Sequence, residues 1–209
     1  GITSRWQNVG EMRNSGIEIT IGGDIIRTKD WLWSIDLNMG YNKNKLEKLY
    51  GDDPDMMIIG GGGNDTSIAG AAEKVLKVGY STDRYYLREW AGVDPKNGSP
   101  LWYKNDGSGE TTSNYSEAQQ VMTEATSPKL FGGFNTTLTW KNIDLNASFG
   151  YSLGGKIYNY SRQEYDSDGA YTDRNQMKLI DGWSRWEKEG DIATHPLASY
   201  GNNSNSNKA

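Results

Sequence analysis

The sequence predicts an all-β fold: antiparallel up-and-down strands of a transmembrane β-barrel, an incomplete barrel segment with short periplasmic turns and long extracellular loops. Three observations lead there. Two stretches alternate apolar with polar residues at a period of two, their connecting turns are only a few residues long, and aromatics mark both ends of the alternating runs.

The clearest alternation runs over residues 31–42. Trp31, Trp33, Ile35, Leu37, Met39 and Tyr41 fall on one face, and Ser34, Asp36, Asn38, Gly40 and Asn42 on the other, with Leu32 the exception. The preceding stretch repeats the design, with Ile17, Ile19, Ile21 and Ile25 set against Glu18, Thr20, Gly22 and Asp24. Thr28-Lys29-Asp30 is short enough to join the two as a hairpin. A second pair follows the same plan. Leu130, Phe134, Leu138 and Trp140 alternate with Asn135, Thr137 and Thr139; Lys141-Asn142 turns the chain; Ile143, Leu145, Ala147, Phe149 and Tyr151 then alternate with Asp144, Asn146 and Ser148.

The opposite ends of these hairpins differ. The domain organisation reads as one partial barrel over residues 1–209. Its hairpins lie at about 14–44 and 130–158, a β-rich middle segment at 75–105, and long loops at 43–74, 106–128 and 159–209. Short turns on one side and long loops on the other match an outer-membrane barrel, with Trp31 and Trp140 at one rim and Tyr41 and Tyr151 at the other. The middle segment is compatible with two further barrel strands or with a hairpin inside the loops. A soluble β-sandwich used for carbohydrate binding or adhesion would also alternate, by burying its apolar face under a second sheet.

Composition narrows the classes. A mean hydropathy of -0.78 excludes a helical membrane bundle but not a barrel, whose strands need only about 9–11 residues with every second one free to be polar. A net charge of -5 and a pI near 5.0 argue against a nucleic-acid partner. Cysteine is absent, which removes disulfides and thiol chemistry. The start, Gly1-Ile2-Thr3-Ser4-Arg5-Trp6, does not read as a signal peptide, so the chain is expected to begin after any targeting segment or to have lost its own beginning.

Five blocks, in order, resemble the SusC/RagA-type TonB-linked outer-membrane transporters. The first is Asn8-Val9-Gly10 with Met12-Arg13-Asn14-Ser15-Gly16-Ile17-Glu18. The second is Trp90-Ala91-Gly92-Val93-Asp94-Pro95 with Gly98, Pro100, Leu101, Trp102 and Tyr103. Ser127-Pro128-Lys129-Leu130-Phe131-Gly132-Gly133-Phe134, leading into 140–145, makes the third. Gly154-Gly155-Lys156-Ile157-Tyr158-Asn159 is the fourth, and Arg185-Trp186 with Gly190-Asp191 the fifth. The resemblance implies an internal fragment of the C-terminal half of a larger barrel in the bacterial outer membrane, with the plug domain and final strands outside this sequence. It further implies import of glycans or peptides, a SusD-type surface lipoprotein partner, energy through the TonB complex, and contact with outer-membrane lipid.

No residue set carries catalysis. The glycine run 60–63 lacks the Lys-Ser/Thr and the strand–loop–helix setting of a phosphate loop. Asp166-Ser167-Asp168-Gly169 begins like a calcium loop but lacks the closing Glu, so no full metal ligand set and no cofactor is expected, a weak surface ion site being the alternative. Asp52, Asp53 and Asp55 read as a solvated acidic loop, and the matches to the glycosylation pattern at Asn64, Asn114 and Asn146 as coincidence. His195 is the only histidine and has no Ser or acid specially placed near it in sequence. Sugars stack on aromatic rings, so the ligand-binding candidates are Tyr165, Tyr171, Trp183 and Trp186 in the last long loop; packing within that loop is the competing role for each.

Overall fold

The structure, a computed structural model, describes residues 10–50, 53, 55–60, 72–201 and 208. Asn8-Val9, Asp52, the glycines from Gly61 to Gly63 and the Asn64 motif lie outside the described residues. In chain order the strands are β1 (Glu11–Arg27), β2 (Trp31–Lys48), β3 (Met57–Gly60), β4 (Glu73–Lys77), β5 (Arg84–Arg88), β6 (Trp90–Val93), β7 (Pro100–Tyr103), β8 (Thr111–Thr112), β9 (Gln120–Ala125), β10 (Leu130–Trp140) and β11 (Ile143–Leu153). One short helix, α1 (Tyr160–Tyr165), follows. The chain divides into two compact units. The first comprises Gly1–Ile58, Leu76–Asp83 and Glu124–Lys156, the second Ile59–Val75, Arg84–Thr123 and Ile157–Ala209.

The first unit is built on an antiparallel sheet in the order β1-β2-β10-β11. Both expected hairpins form, with turns at residues 28–30 and 141–142. Thr28 closes the first, its hydroxyl oxygen accepting from the Trp31 N–H at 3.0 Å. At the second, Lys141 adopts φ 54° and its N–H donates to the Asp30 carbonyl at 2.9 Å, tying the two turns together. Trp31 and Trp140 are register partners and stack at 5.6 Å between ring centroids.

Register decides which face each side chain takes, because a slip of one residue would move every side chain to the other side. Across all four strands the rows agree. Ile21, Leu37, Phe134 and Phe149 share one row, as do Trp33, Leu138 and Leu145. The rows between them are polar: Gly22, Asp36, Asn135 and Ser148; then Asp24, Ser34, Thr137 and Asn146. On the polar side, Thr137 donates to Asn146 at 2.8 Å and Thr139 to Asp144 at 2.6 Å. On the apolar side, Trp33 Nε1 donates to the Thr136 hydroxyl at 2.8 Å, which satisfies the only two polar groups of that row pair. The apolar face is uncovered: Ile17, Ile21, Leu145 and Phe149 are each more than half exposed. A sandwich would have buried them. A barrel presents them to lipid.

β10 and β11 have 11 residues each, the length that spans a bilayer at a barrel tilt. β1 and β2, at 17 and 18 residues, are several residues longer. The extension of β2 is held by residues 76–83: the Leu46 N–H donates to the Tyr80 carbonyl at 2.7 Å, and Asn44 Oδ1 accepts from the Thr82 N–H at 2.8 Å. Asp83 fastens the same segment to the approach of β10, accepting from the Ser127 N–H at 2.7 Å and the Thr126 hydroxyl at 3.1 Å. Burial pushes that carboxyl up, but its hydrogen bonds to Ser127, Ser81 and Thr126 outweigh burial and bring it down to about 2.

In the middle segment no strand exceeds six residues, short of a spanning length. β6, β7 and β8 form a three-stranded sheet of their own. Its centre in the second unit is Trp102, fully buried, with Trp90 edge-on at 5.6 Å and Tyr115 at 5.1 Å. Arg88 covers Tyr115 at 4.5 Å and donates to the Ala118 carbonyl at 2.7 Å.

Leu37 lies at the middle of the apolar band. In the full-length protein folded into liposomes, Leu37→Arg is expected to cost about 2–4 kcal/mol, and Asn38→Ser on the opposite face less than 1 kcal/mol. Equal costs in denaturant titrations would contradict the facing.

Candidate functional site

The last long loop starts at α1. Asn159 caps it, its side-chain oxygen accepting from the Arg162 N–H at 2.9 Å. The helix is less than two turns long and ends at Asp166, where the Asp-Ser-Asp-Gly stretch bends the chain through Asp168 (φ 55°) and Gly169 (φ 96°). Glycine is required at 169, since a Cβ there would meet the Ser199 backbone at 3.0 Å. The Ser199 N–H returns to the Asp168 carbonyl at 2.9 Å, and the Gly201 N–H to that of Gly169 at 2.9 Å. Residues 166–169 and 195–201 are thereby laid side by side.

That pairing assembles what the sequence separates. Asp166, Asp168 and His195 come together with one ligating atom from each inside 4.8 Å, and all three are buried. His195, which sequence spacing left without an acid, faces Asp166 Oδ1 through Nε2 at 2.9 Å and meets the Thr194 hydroxyl through Nδ1 at 2.8 Å. The carboxylates are already neutralised by side chains. Arg162 Nε reaches Asp166 at 3.1 Å, Arg185 reaches Asp168 Oδ1 at 2.6 Å, and Lys208 reaches Asp168 Oδ2 at 2.5 Å while also donating to the Asp166 carbonyl. Two carboxylates against two guanidinium groups and an ammonium leave no negative charge to attract a metal ion. The cluster is an ion network that holds the loop, and it matches the calcium-loop likeness of residues 166–169 only in sequence.

Burial pushes the Asp166 carboxyl up, but the His195 hydrogen bond, the Lys208 charge and Arg162 outweigh it and hold it below the ordinary value of 3.8.

The four aromatic candidates take different positions. Trp183 contacts both the Arg162 guanidinium, 4.4 Å from its ring, and the His195 ring at 4.8 Å. Trp186 donates from Nε1 to the Pro95 carbonyl at 3.1 Å and lies so close over Gly98 that a Cβ there would meet its ring at 2.4 Å. Tyr171 lies beside Arg174, 4.9 Å from its ring to the guanidinium. Tyr165 opens onto a cavity of about 440 Å³, with Arg162, Asn175, Gln176 and Met177 around it. Gln176 is committed to Ser167, accepting from its N–H at 3.2 Å, and the Met177 N–H donates to the Tyr165 carbonyl at 2.7 Å. Asn175 and the outer nitrogens of Arg162 remain to face a ligand beside the Tyr165 ring. Neither Asn175 nor Arg162 could be singled out from sequence, because each gains its place only from the bend at Asp166–Gly169.

The comparisons with known proteins agree with this architecture. No family model matches the chain. It is 30% identical over 207 residues to TonB-dependent receptor P3 of Formosa agariphila, a match covering 92% of this chain and 20% of the relative. It is 28% identical over 194 residues to TonB-dependent receptor SusC of Bacteroides thetaiotaomicron, covering 85% and 18%. Among solved structures it superposes on the RagAB peptide transporter with a TM-score of 0.74 at 28% identity, covering 95% of this chain and 21% of that one. The chain is of the SusC/RagA type. It spans about a fifth of the length of these relatives. A SusC/RagA-type chain is an outer-membrane protein of Gram-negative bacteria, and its relatives are receptors and transporters, not enzymes.

Two outcomes test the ion network in the full-length protein. Asp168→Asn strands Arg185 and Lys208 beside a buried amide, and is expected to destabilise the loop by about 3–5 kcal/mol. Hydrogen exchange at the Ser199 and Gly201 amides reads this directly. Because the folded Asp166 value is depressed, its stabilisation is complete above pH 3.8 and is lost as the pH falls through the lower folded value. Corrected for the intrinsic pH dependence of exchange, the protection of those amides should be flat from neutral pH to about 4 and fall below it. A loss of protection already under way at pH 6 would contradict the assignment.

Proposed function

We propose that the chain forms part of an outer-membrane transporter that imports glycan oligosaccharides or peptides, working with a SusD-type surface lipoprotein and energised through TonB. The observation that carries this reading is the four-strand register, which gives one unbroken apolar face and one polar face in strands of spanning length. The likeness to a RagAB structure described as a peptide transporter, and to a receptor named SusC, supports the transport class.

Within this reading Tyr165 is the ligand-contacting candidate with an open ring face, 49% exposed and flanked by Arg162 and Asn175. An aromatic platform beside planar donors suits a pyranose ring or a peptide side chain and its amides. Tyr171, Trp183 and Trp186 act in the same proposal as the frame behind that platform.

The test uses the full-length gene in its own host. Deletion should abolish uptake of at least one labelled oligosaccharide or peptide mixture, and a tagged receptor should co-purify a surface lipoprotein. Tyr165→Ala should weaken binding of that ligand roughly 2–10-fold without changing receptor abundance. Undiminished uptake of every glycan and peptide source after deletion would sink the proposal.

A further inference from the structure

The side of β1 and β2 that carries the apolar face changes character above Tyr41. No register shift interrupts the pairing from Met12 to Asp24, so Arg13 and Ser15 share a face with Ile17, Ile19 and Ile21, and Lys43 and Lys45 share it with Leu37, Met39 and Tyr41. Ile17 pairs with Tyr41, Ser15 with Lys43, and Arg13 with Lys45. The apolar band therefore ends at the Ile17–Tyr41 pair, and the next positions outward on the same face are cationic.

From Trp31 to Tyr41 the strand rises about 33 Å, which at a barrel tilt of roughly 40° is about 25 Å along the membrane normal, the height of an outer-membrane apolar band. Lys43 lies about 5 Å higher, at headgroup level, on the side of the long loops. At the opposite rim Arg27 is paired with Asp24 at 2.6 Å. Above Tyr41 the balance is different. Lys45 contacts Glu47 at 2.9 Å, but Arg13 and Lys43 are exposed and, among the described residues, have no acidic partner.

Arg13 and Lys45 are like charges directly opposite on neighbouring strands; Glu47 offsets Lys45 and leaves Arg13 and Lys43 to attract an anion. Lys43 is about 7 Å from Lys45 on the same face. The other face at this level is occupied, with Leu46 buried and Asn44 bonded to Asn14 at 2.8 Å, so the cations are confined to the lipid side.

We infer that Arg13, Lys43 and Lys45 form a binding site for a phosphorylated lipid headgroup of the outer leaflet. The inference rests on the transporter reading, which puts this face in lipid and the long loops outside. Arg13 supplies a planar fork that matches phosphate oxygens, and the two lysines supply point charges beside it.

The experiment uses the full-length receptor in nanodiscs of phosphatidylcholine, alone or with diphosphoryl or phosphate-free lipid A. Lipid carried through native mass spectrometry is the readout. The wild type should retain diphosphoryl lipid A over the phosphate-free form, and Arg13→Gln with Lys43→Gln should lower that retention roughly tenfold or more. Heat-modifiable migration in pure phosphatidylcholine, which needs only the apolar band, should be the same for both proteins. Equal retention by wild type and double variant would overturn the lipid site and leave the transporter reading standing. Failure of the wild type to enter neutral bilayers would overturn both. A double variant that keeps its lipid but loses a co-purifying lipoprotein would assign the cations to a protein partner and overturn the inference.

Discussion

Every other feature of the first unit depends on one constraint: the two hairpins must meet in a single register. β2 and β10 are far apart in sequence, yet Trp31 lies opposite Trp140 and Tyr41 opposite Leu130 with no interruption. A shift of one residue between them would set Asp36 against the row of Leu37 and Phe134 and put polar groups into lipid, where no water can satisfy them. The stacked tryptophans, the Lys141 N–H to the Asp30 carbonyl and the Trp33–Thr136 hydrogen bond all lie near the short-turn end of this seam. They fix the register where it starts, and the alternation carries it upward.

Because that constraint is periodic, it was legible in sequence. The hairpins, their turns and their facing follow from alternation at 17–27, 31–42, 130–140 and 143–152. The upper parts of β1 and β2 were less plain, because the apolar signal stops at Tyr41 while hydrogen bonding continues to Lys48. A strand whose side chains turn polar on both faces looks like a loop when only periodicity is read. The short strands of the middle segment posed a similar problem, since four or five residues give a period of two little room to show itself.

The last loop was legible in its parts and not in its assembly. Asp166-Ser167-Asp168-Gly169 stood out, and so did the lone His195, but nothing in their separation indicated that they would touch. Their meeting depends on backbone hydrogen bonds from Ser199 and Gly201 to Asp168 and Gly169, which have no side-chain signature. The motif glycines likewise mark close approach rather than chemistry. Gly98 makes room for Trp186, and Gly155 for the Thr126 carbonyl, which a Cβ would meet at 2.6 Å. The block of residues around Asp191 marks a turn: its carboxylate accepts from the Glu187 and Lys188 N–H groups at 3.1 and 3.0 Å.

The direct pairing of β2 with β10 makes everything encoded by residues 49–129 an insertion between two neighbouring staves. The entropic cost of closing such an excursion grows only logarithmically, about 0.6 kcal/mol for each doubling of its length. The wall is therefore almost indifferent to how long the excursion is or what it contains. Selection can lengthen, shorten or exchange it while the Trp31–Trp140 end of the seam keeps the staves aligned, so this excursion can change without redesigning how the wall stands in the membrane.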